Sequence, residues 1–129
     1  MLLFQCKLSA AFFVVAVSIV SHAAAALDGK QLYIANCGTC HQLDGGGVPM
    51  MQPELIQIER AKNPVGGVVE MILKGSAAIE PGLSDYGNEM PAFDYLSNTE
   101  IALIASYVRS NFGNEGNAVT EADVKRLRQ

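Results

Sequence analysis

The chain has 129 residues, with nine basic and 13 acidic side chains and a net charge of −4. That length leaves room for about one ordinary domain. An acidic surface of this kind argues against a nucleic-acid partner, whose phosphates recruit lysine and arginine.

Residues 1–26 read as an address label rather than as part of the fold. Lys7 is the only charge in a short leading region, Leu8 to Val20 is apolar, and Ala24-Ala25-Ala26 offers an A-x-A cleavage site before Leu27. The pattern predicts export to the periplasm, with residues 27–129 as the mature domain. An uncleaved membrane anchor is the competing reading, but Gln5, Lys7 and Ser9 interrupt the stretch. Its apolar core falls short of the ~20 residues that span a bilayer. Cys6 and His22 would leave with the leader, as would Lys7, so eight basic residues face 13 acidic ones in the mature chain, a charge of −5.

Asp28 opens the first predicted helix, with Gln31 three residues on as a capping-box-like partner. Leu32 and Tyr33 supply its apolar stripe. Gly29 shares a face with Tyr33, where a missing side chain would let another helix come close, though the spacing fits a glycine that simply follows the cap equally well.

That helix delivers Cys37-Gly38-Thr39-Cys40-His41, a C-x-x-C-H sequence and the attachment signature of a covalent haem. Two thiols three positions apart can each add across a haem vinyl group, and the next residue can offer a ring nitrogen to the iron. A thioredoxin-like redox pair would want a preceding buried strand and a βαβ pattern, and neither is visible. A structural zinc site needs four ligands, and outside the leader Cys37, Cys40 and His41 are the only cysteines and histidine. One haem consumes both thiols and leaves no disulfide. The porphyrin then supplies core that so small a chain struggles to build alone.

Asp44-Gly45-Gly46-Gly47-Val48-Pro49 reads as a loop. Pro53 to Glu59 is expected to form a short helix that packs through Leu55, Ile56 and Ile58. Asn63-Pro64 then starts the next helix, a cap followed by proline at the first helical position. It carries Val68, Val69, Ile72 and Leu73 and stops at Gly75. Gly75 to Leu96 contains Pro81, Gly82, Gly87 and Pro91 and shows no periodicity, the mark of a long functional loop. Ser97-Asn98-Thr99-Glu100 is a capping box, followed by Ile101, Ile104, Ala105 and Val108 at helical spacing, with Gly113 as the expected stop. Thr120 to Asp123 repeats the capping pattern, and Val124 and Leu127 would dock a terminal turn. Lys125, Arg126 and Arg128 read as a solvated face that favours the C-terminal end of its helix dipole. No alternating strand pattern occurs, so the fold class is all-α.

With His41 as the only histidine of the mature chain, a second histidine ligand is excluded. The remaining donors are Met50, Met51, Met71 and Met90. Met71 falls on a helix, where packing is the ordinary use of methionine, and Met50 and Met51 follow His41 too closely to reach the opposite haem face. Met90 lies 49 residues downstream of His41, in a loop stiffened by Pro91. His41 and Met90 are therefore the expected iron ligands. A thioether raises the potential relative to two nitrogens and closes the distal side, which favours electron transfer over catalysis.

Taken together, the mature chain resembles the class I monohaem c-type cytochromes. The resemblance rests on Gly29-x-x-Leu32-Tyr33-x-x-x-Cys37-x-x-Cys40-His41, on Pro53-Glu54-Leu55, on Met90-Pro91-Ala92-Phe93 and on Tyr107. It implies a small helical domain wrapped around one haem c. It also implies that the Pro53 carbonyl holds the second N–H of the histidine, with Pro49 as the competing candidate, and that Gly29 and Tyr107 mark the crossing of first and last helices. The tail Ile101-Ala102-x-x-Ala105-x-Tyr107-Val108-Arg109-x-x-Phe112-Gly113-Asn114 is similar to haem domains in cytochrome subunits of periplasmic alcohol and sugar dehydrogenases. This implies redox proteins as partners, a dehydrogenase or reductase on one side and the respiratory chain on the other. The family's tryptophan is missing, which leaves Tyr86 or Tyr95 to bond a propionate.

The expected protein is an electron carrier with no catalytic residue of its own. A haem peroxidase would instead need open iron and a distal acid–base group, for which Arg109 or a carboxylate is the candidate. A gas sensor would need Met90 to leave.

Overall fold

The computed structural model describes residues 27–62, 64–79 and 84–129; the expected leader and the Asn63 cap lie outside the described residues. Those described form six α-helices and one 3₁₀ turn, with a lone antiparallel bridge between Val48 and Gln52 as the sole extended pairing among them. The fold is all-α.

Helix α1 (Gly29–Asn36) starts because Asp28 accepts a hydrogen bond from the Lys30 N–H at 3.1 Å. Gln31 makes no bond in return, so the cap is one-sided rather than the expected box. Cys37 continues the turn, its N–H reaching Tyr33 O at 2.8 Å, and leads straight into α2 (Gly38–His41). Helix α5 (Asn98–Ser110) has the full Ser97/Glu100 capping box, and Ile101, Ile104, Ala105 and Val108 are all buried on one face. It ends three residues before Gly113, where Phe112 (φ 57°) and Gly113 (φ 73°) reverse the chain; the Asn111 amide donates to Tyr107 O at 2.9 Å.

Helices α1 and α5 cross at Gly29, where a Cβ atom would stand 2.5 Å from Leu103 O and 3.3 Å from the Tyr107 Cβ. Beside the crossing the rings of Tyr33, Tyr107 and Phe112 pack with centroids 5.3–5.6 Å apart. Tyr33 is fully buried and donates its hydroxyl to Gln42 O at 2.6 Å. Burial, and then the neighbouring Cys37, push its phenol well above the usual tyrosine range.

The helix expected over Pro53 to Glu59 is not there: α3 runs Glu59–Lys62, beginning where the expected one should end. Tertiary partners take the backbone groups a helix would use. Leu55 N–H goes to Gly45 O (2.7 Å), Gln57 N–H to Phe112 O (3.1 Å) and Ile58 N–H to Asn114 Oδ1 (2.9 Å). Helix α4 (Gly66–Lys74) buries Val68, Val69, Ile72 and Leu73 as expected, but Pro64 stands before it, accepting from the Gly67 N–H in a preceding turn. Gly75 (φ 59°) stops it, and a 3₁₀ turn, Gly75–Ala78, follows.

Helix α6 (Glu121–Leu127) has the Thr120/Asp123 capping box and a fully buried Val124. Its basic end is only partly the solvated face expected. Lys125 is exposed and Arg126 pairs with Asp123 at 2.7 Å, but Arg128 turns back onto the segment before α5.

Candidate functional site

Between α2, the loop through Pro53, α4 and the segment around Met90 lies a cleft of two lobes, about 450 and 390 Å³, that share Cys37, His41, Pro53, Asn88 and Met90. Either lobe alone falls in the ~300–1,000 Å³ range of cofactor sites. Leu55, Ile58, Val68, Ile72, Ile104 and Val108 give the larger lobe an apolar wall.

His41 is buried, and its Nδ1 lies 2.9 Å from Pro53 O. A carbonyl can only accept, so Nδ1 carries the proton and Nε2 is left with its lone pair for a metal. Pro49 is exposed and plays no part in this contact. The Pro53 carbonyl is set by Gly47 (φ 63°), where a Cβ would stand 2.6 Å from both Pro53 C and O. Gly47 also donates its N–H to His41 O at 3.0 Å.

The same loop is tied from the far end of the chain by Asn114. Its buried amide donates to Leu55 O and Val108 O at 2.9 and 2.8 Å and accepts from the Ile58 N–H. Its tie to the loop is not legible locally, because Leu55 and Ile58 lie 59 and 56 positions away.

Met90 is half-buried and borders both lobes. Ser76 brackets it, accepting from the Met90 N–H at 2.7 Å and donating its own N–H to Met90 O at 2.9 Å. A side chain at Gly75 would collide with Met90 O and the Pro91 carbonyl. Phe93 N–H continues the attachment by donating to Ile72 O at 2.8 Å. Met71, expected only to pack, also lines the larger lobe. Met50 and Met51 are exposed and outside both lobes, but their carbonyls accept from the N–H groups of Gly87 and Asn88 and so close the rim.

Cys37 is buried and Cys40 exposed, and no disulfide joins them. Burial, and then Cys40, push the Cys37 thiol up to about 11, opposite to the lowered value of a reactive redox cysteine. Of the two tyrosines considered for a propionate, Tyr86 lines the larger lobe, while Tyr95 is 71% exposed and stacks on Phe93. Arg60, which the sequence did not single out, is the one lysine or arginine among the residues lining either lobe. Arg109 lies outside both lobes. It is fully buried and donates to Asn117 O at 2.8 Å and Lys62 O at 3.0 Å.

A buried imidazole of fixed tautomer, a thioether on the same cleft, two thiols at its edge and an apolar wall suit a flat metalloporphyrin. No cluster of three or more His, Cys, Asp or Glu able to hold a bare ion occurs among the described residues. Fold and cleft together define a small helical haem domain.

The chain belongs to the cytochrome c family, whose model matches residues 26–112. It is similar to the cytochrome c subunit of a quinone-dependent alcohol dehydrogenase from Gluconacetobacter polyoxogenes, 32% identical over 108 residues, and to the fructose dehydrogenase cytochrome subunit of Gluconobacter japonicus, 34% identical over 110. Those matches cover 81% and 78% of this chain but only 23% and 22% of the relatives, so the chain spans less than a quarter of their length. Cytochrome c6 of Cyanidium caldarium is 32% identical over 84 residues, covering 64% of this chain and 67% of that one. The cofactor is covalent haem c, and the role is electron transfer.

Proposed function

We propose that Cys37 and Cys40 hold the haem as thioethers, that His41 and Met90 are its axial ligands, and that the chain, exported by residues 1–26, carries single electrons in the periplasm between a dehydrogenase and the respiratory chain. The observation that carries the ligand set is the 2.9 Å contact of His41 Nδ1 with Pro53 O. It leaves one nitrogen available and makes that nitrogen a stronger donor.

Haem iron supplies the one-electron couple. This chain's residues keep it simple. His41 is fixed by Pro53, and Met90 is fixed by Ser76 on both sides of its peptide. Ligands held this firmly change little between redox states, so the reorganisation accompanying electron transfer is small. The apolar wall gives the larger lobe a face suited to a porphyrin ring, and exposed Cys40 leaves the attachment edge open to a partner. A peroxidase reading is poorly supplied, because Arg109 is already committed to two backbone carbonyls away from the cleft.

Export is supported by the apolar run of the leader and by a family match that begins at residue 26. No described helix is long and apolar enough to cross a membrane. A dehydrogenase partner is supported by the similarity to cytochrome subunits of an alcohol and a fructose dehydrogenase.

One optical spectrum tests the ligand set. The oxidised protein should show the weak red-edge band of sulfur-ligated haem, lost on reduction and in Met90→Ala. Rapid carbon monoxide binding by the unmodified reduced protein would overturn the carrier reading in favour of a gas-binding site.

A further inference from the structure

We infer that Arg128 is a positioning residue for Met90, latching the C-terminal helix onto the segment that carries the sulfur. The inference rests on Met90 as an iron ligand.

Between Met90 and Ser97 the chain has neither helix nor strand, so its backbone depends on ties to other elements. Ser76 holds Met90, and Ile72 O holds the Phe93 N–H. Between Phe93 and Ser97, whose own capping box ties it to α5, the hydrogen bonds that reach Asp94 and Leu96 from another element among the described residues come from Arg128. Its Nη2 donates to Leu96 O at 2.7 Å, its Nη1 to Asp94 O, and its Nε to Asn98 Oδ1 at 2.8 Å. A planar guanidinium spreads its donors in a fixed fork that reaches two carbonyls and an amide oxygen from three separate nitrogens, whereas an ammonium offers all its donors from a single point.

The base of the latch is held to α5 by burial and hydrogen bonds. Val124 of α6 is fully buried, Thr99 Oγ1 donates to Glu121 Oε2 at 3.2 Å, and Ser106 Oγ exchanges bonds with the backbone of Val119 at 2.8 and 3.2 Å. The grip is therefore anchored to α5 at one end and closes on the methionine segment at the other. Opening that segment is what an outside ligand must do before it can replace a sulfur, so the latch sets how readily Met90 is displaced.

The test titrates imidazole into the oxidised haem protein and follows the optical spectrum, with hydrogen exchange of the Met90, Phe93 and Leu96 amides measured alongside. Arg128→Gln should bind imidazole about tenfold more tightly, the scale of losing charge-assisted hydrogen bonds, and should exchange those amides faster. Arg128→Lys should fall between. Lys125→Gln, an exposed charge on the same helix, should change neither readout. Thermal unfolding of each variant confirms that the domain is intact. If Arg128→Gln matches the unmodified protein in both readouts while Met90→Ala still binds imidazole more tightly, the latch is wrong and the ligand stands. If unmodified protein and Met90→Ala bind imidazole equally, the ligand reading fails and takes this inference with it.

Discussion

At the scale of single residues, the site is governed by two small residues that bear no ligand atom. Gly47 lets the Pro53 carbonyl approach His41, and Ser76 holds the Met90 peptide from both sides. Gly47→Ala asks a non-glycine residue to hold φ 63° while its Cβ meets the Pro53 carbonyl. It should cost roughly 1–3 kcal/mol, read as a lower denaturation midpoint of the haem protein. An unchanged midpoint would show that the loop yields freely. Ser76→Ala removes the acceptor of a half-buried N–H, a loss of about 1–3 kcal/mol. It should weaken the sulfur-ligation band without abolishing haem attachment, because the thioether-forming residues are untouched.

At the scale of elements, the crossing of α1 and α5 is decided by contact, and the ends of α5 and α6 by caps. Gly29→Ala would drive a methyl group into Leu103 O, separating the helices or bending one of them. A loss of about 1–3 kcal/mol is expected, measured by chemical denaturation. Asp123 is held at about 2, first by the Thr120 hydroxyl, then by the Thr120 N–H and by Arg126. The folded form therefore takes up this proton less readily than the unfolded chain. Its contribution is complete above the ordinary carboxylate value of 3.8 and drains away as pH falls toward 2. Asp123→Asn should flatten that part of the acid unfolding curve, and a curve of unchanged shape would assign the acid sensitivity elsewhere.

At the scale of the molecule, the core and the cleft are one surface. Val68, Ile72, Ile104 and Val108 belong to the buried core and also line the larger lobe. A domain whose core wall faces a cofactor has lost part of its interior when that cofactor is missing. The Cys37→Ala, Cys40→Ala variant, unable to attach haem, is accordingly expected to be largely unfolded. Native helicity by circular dichroism in that variant would show that the helices pack without it. The same continuity explains why Met71, read from sequence as ordinary packing, borders the cleft as well.

What the sequence determined by itself was whatever depends on short spacing. Cys37, Cys40 and His41 lie within five consecutive positions, the capping boxes of α5 and α6 span four residues each, and the buried stripe of α5 repeats at helical period. Local order along the chain is enough to encode each of these. Tertiary structure alone decided the rest. The Pro53–Ile58 segment had a plausible helical pattern, yet its backbone groups found partners in Gly45, Phe112 and Asn114. Asn114 reaches Leu55 and Ile58, 59 and 56 positions away, and Arg128 reaches Asn98 and Leu96, 30 and 32 positions away, at separations that no periodicity records. Hydrogen bonds and burial act through space, so a residue whose partners lie on other elements leaves no mark in its own neighbourhood.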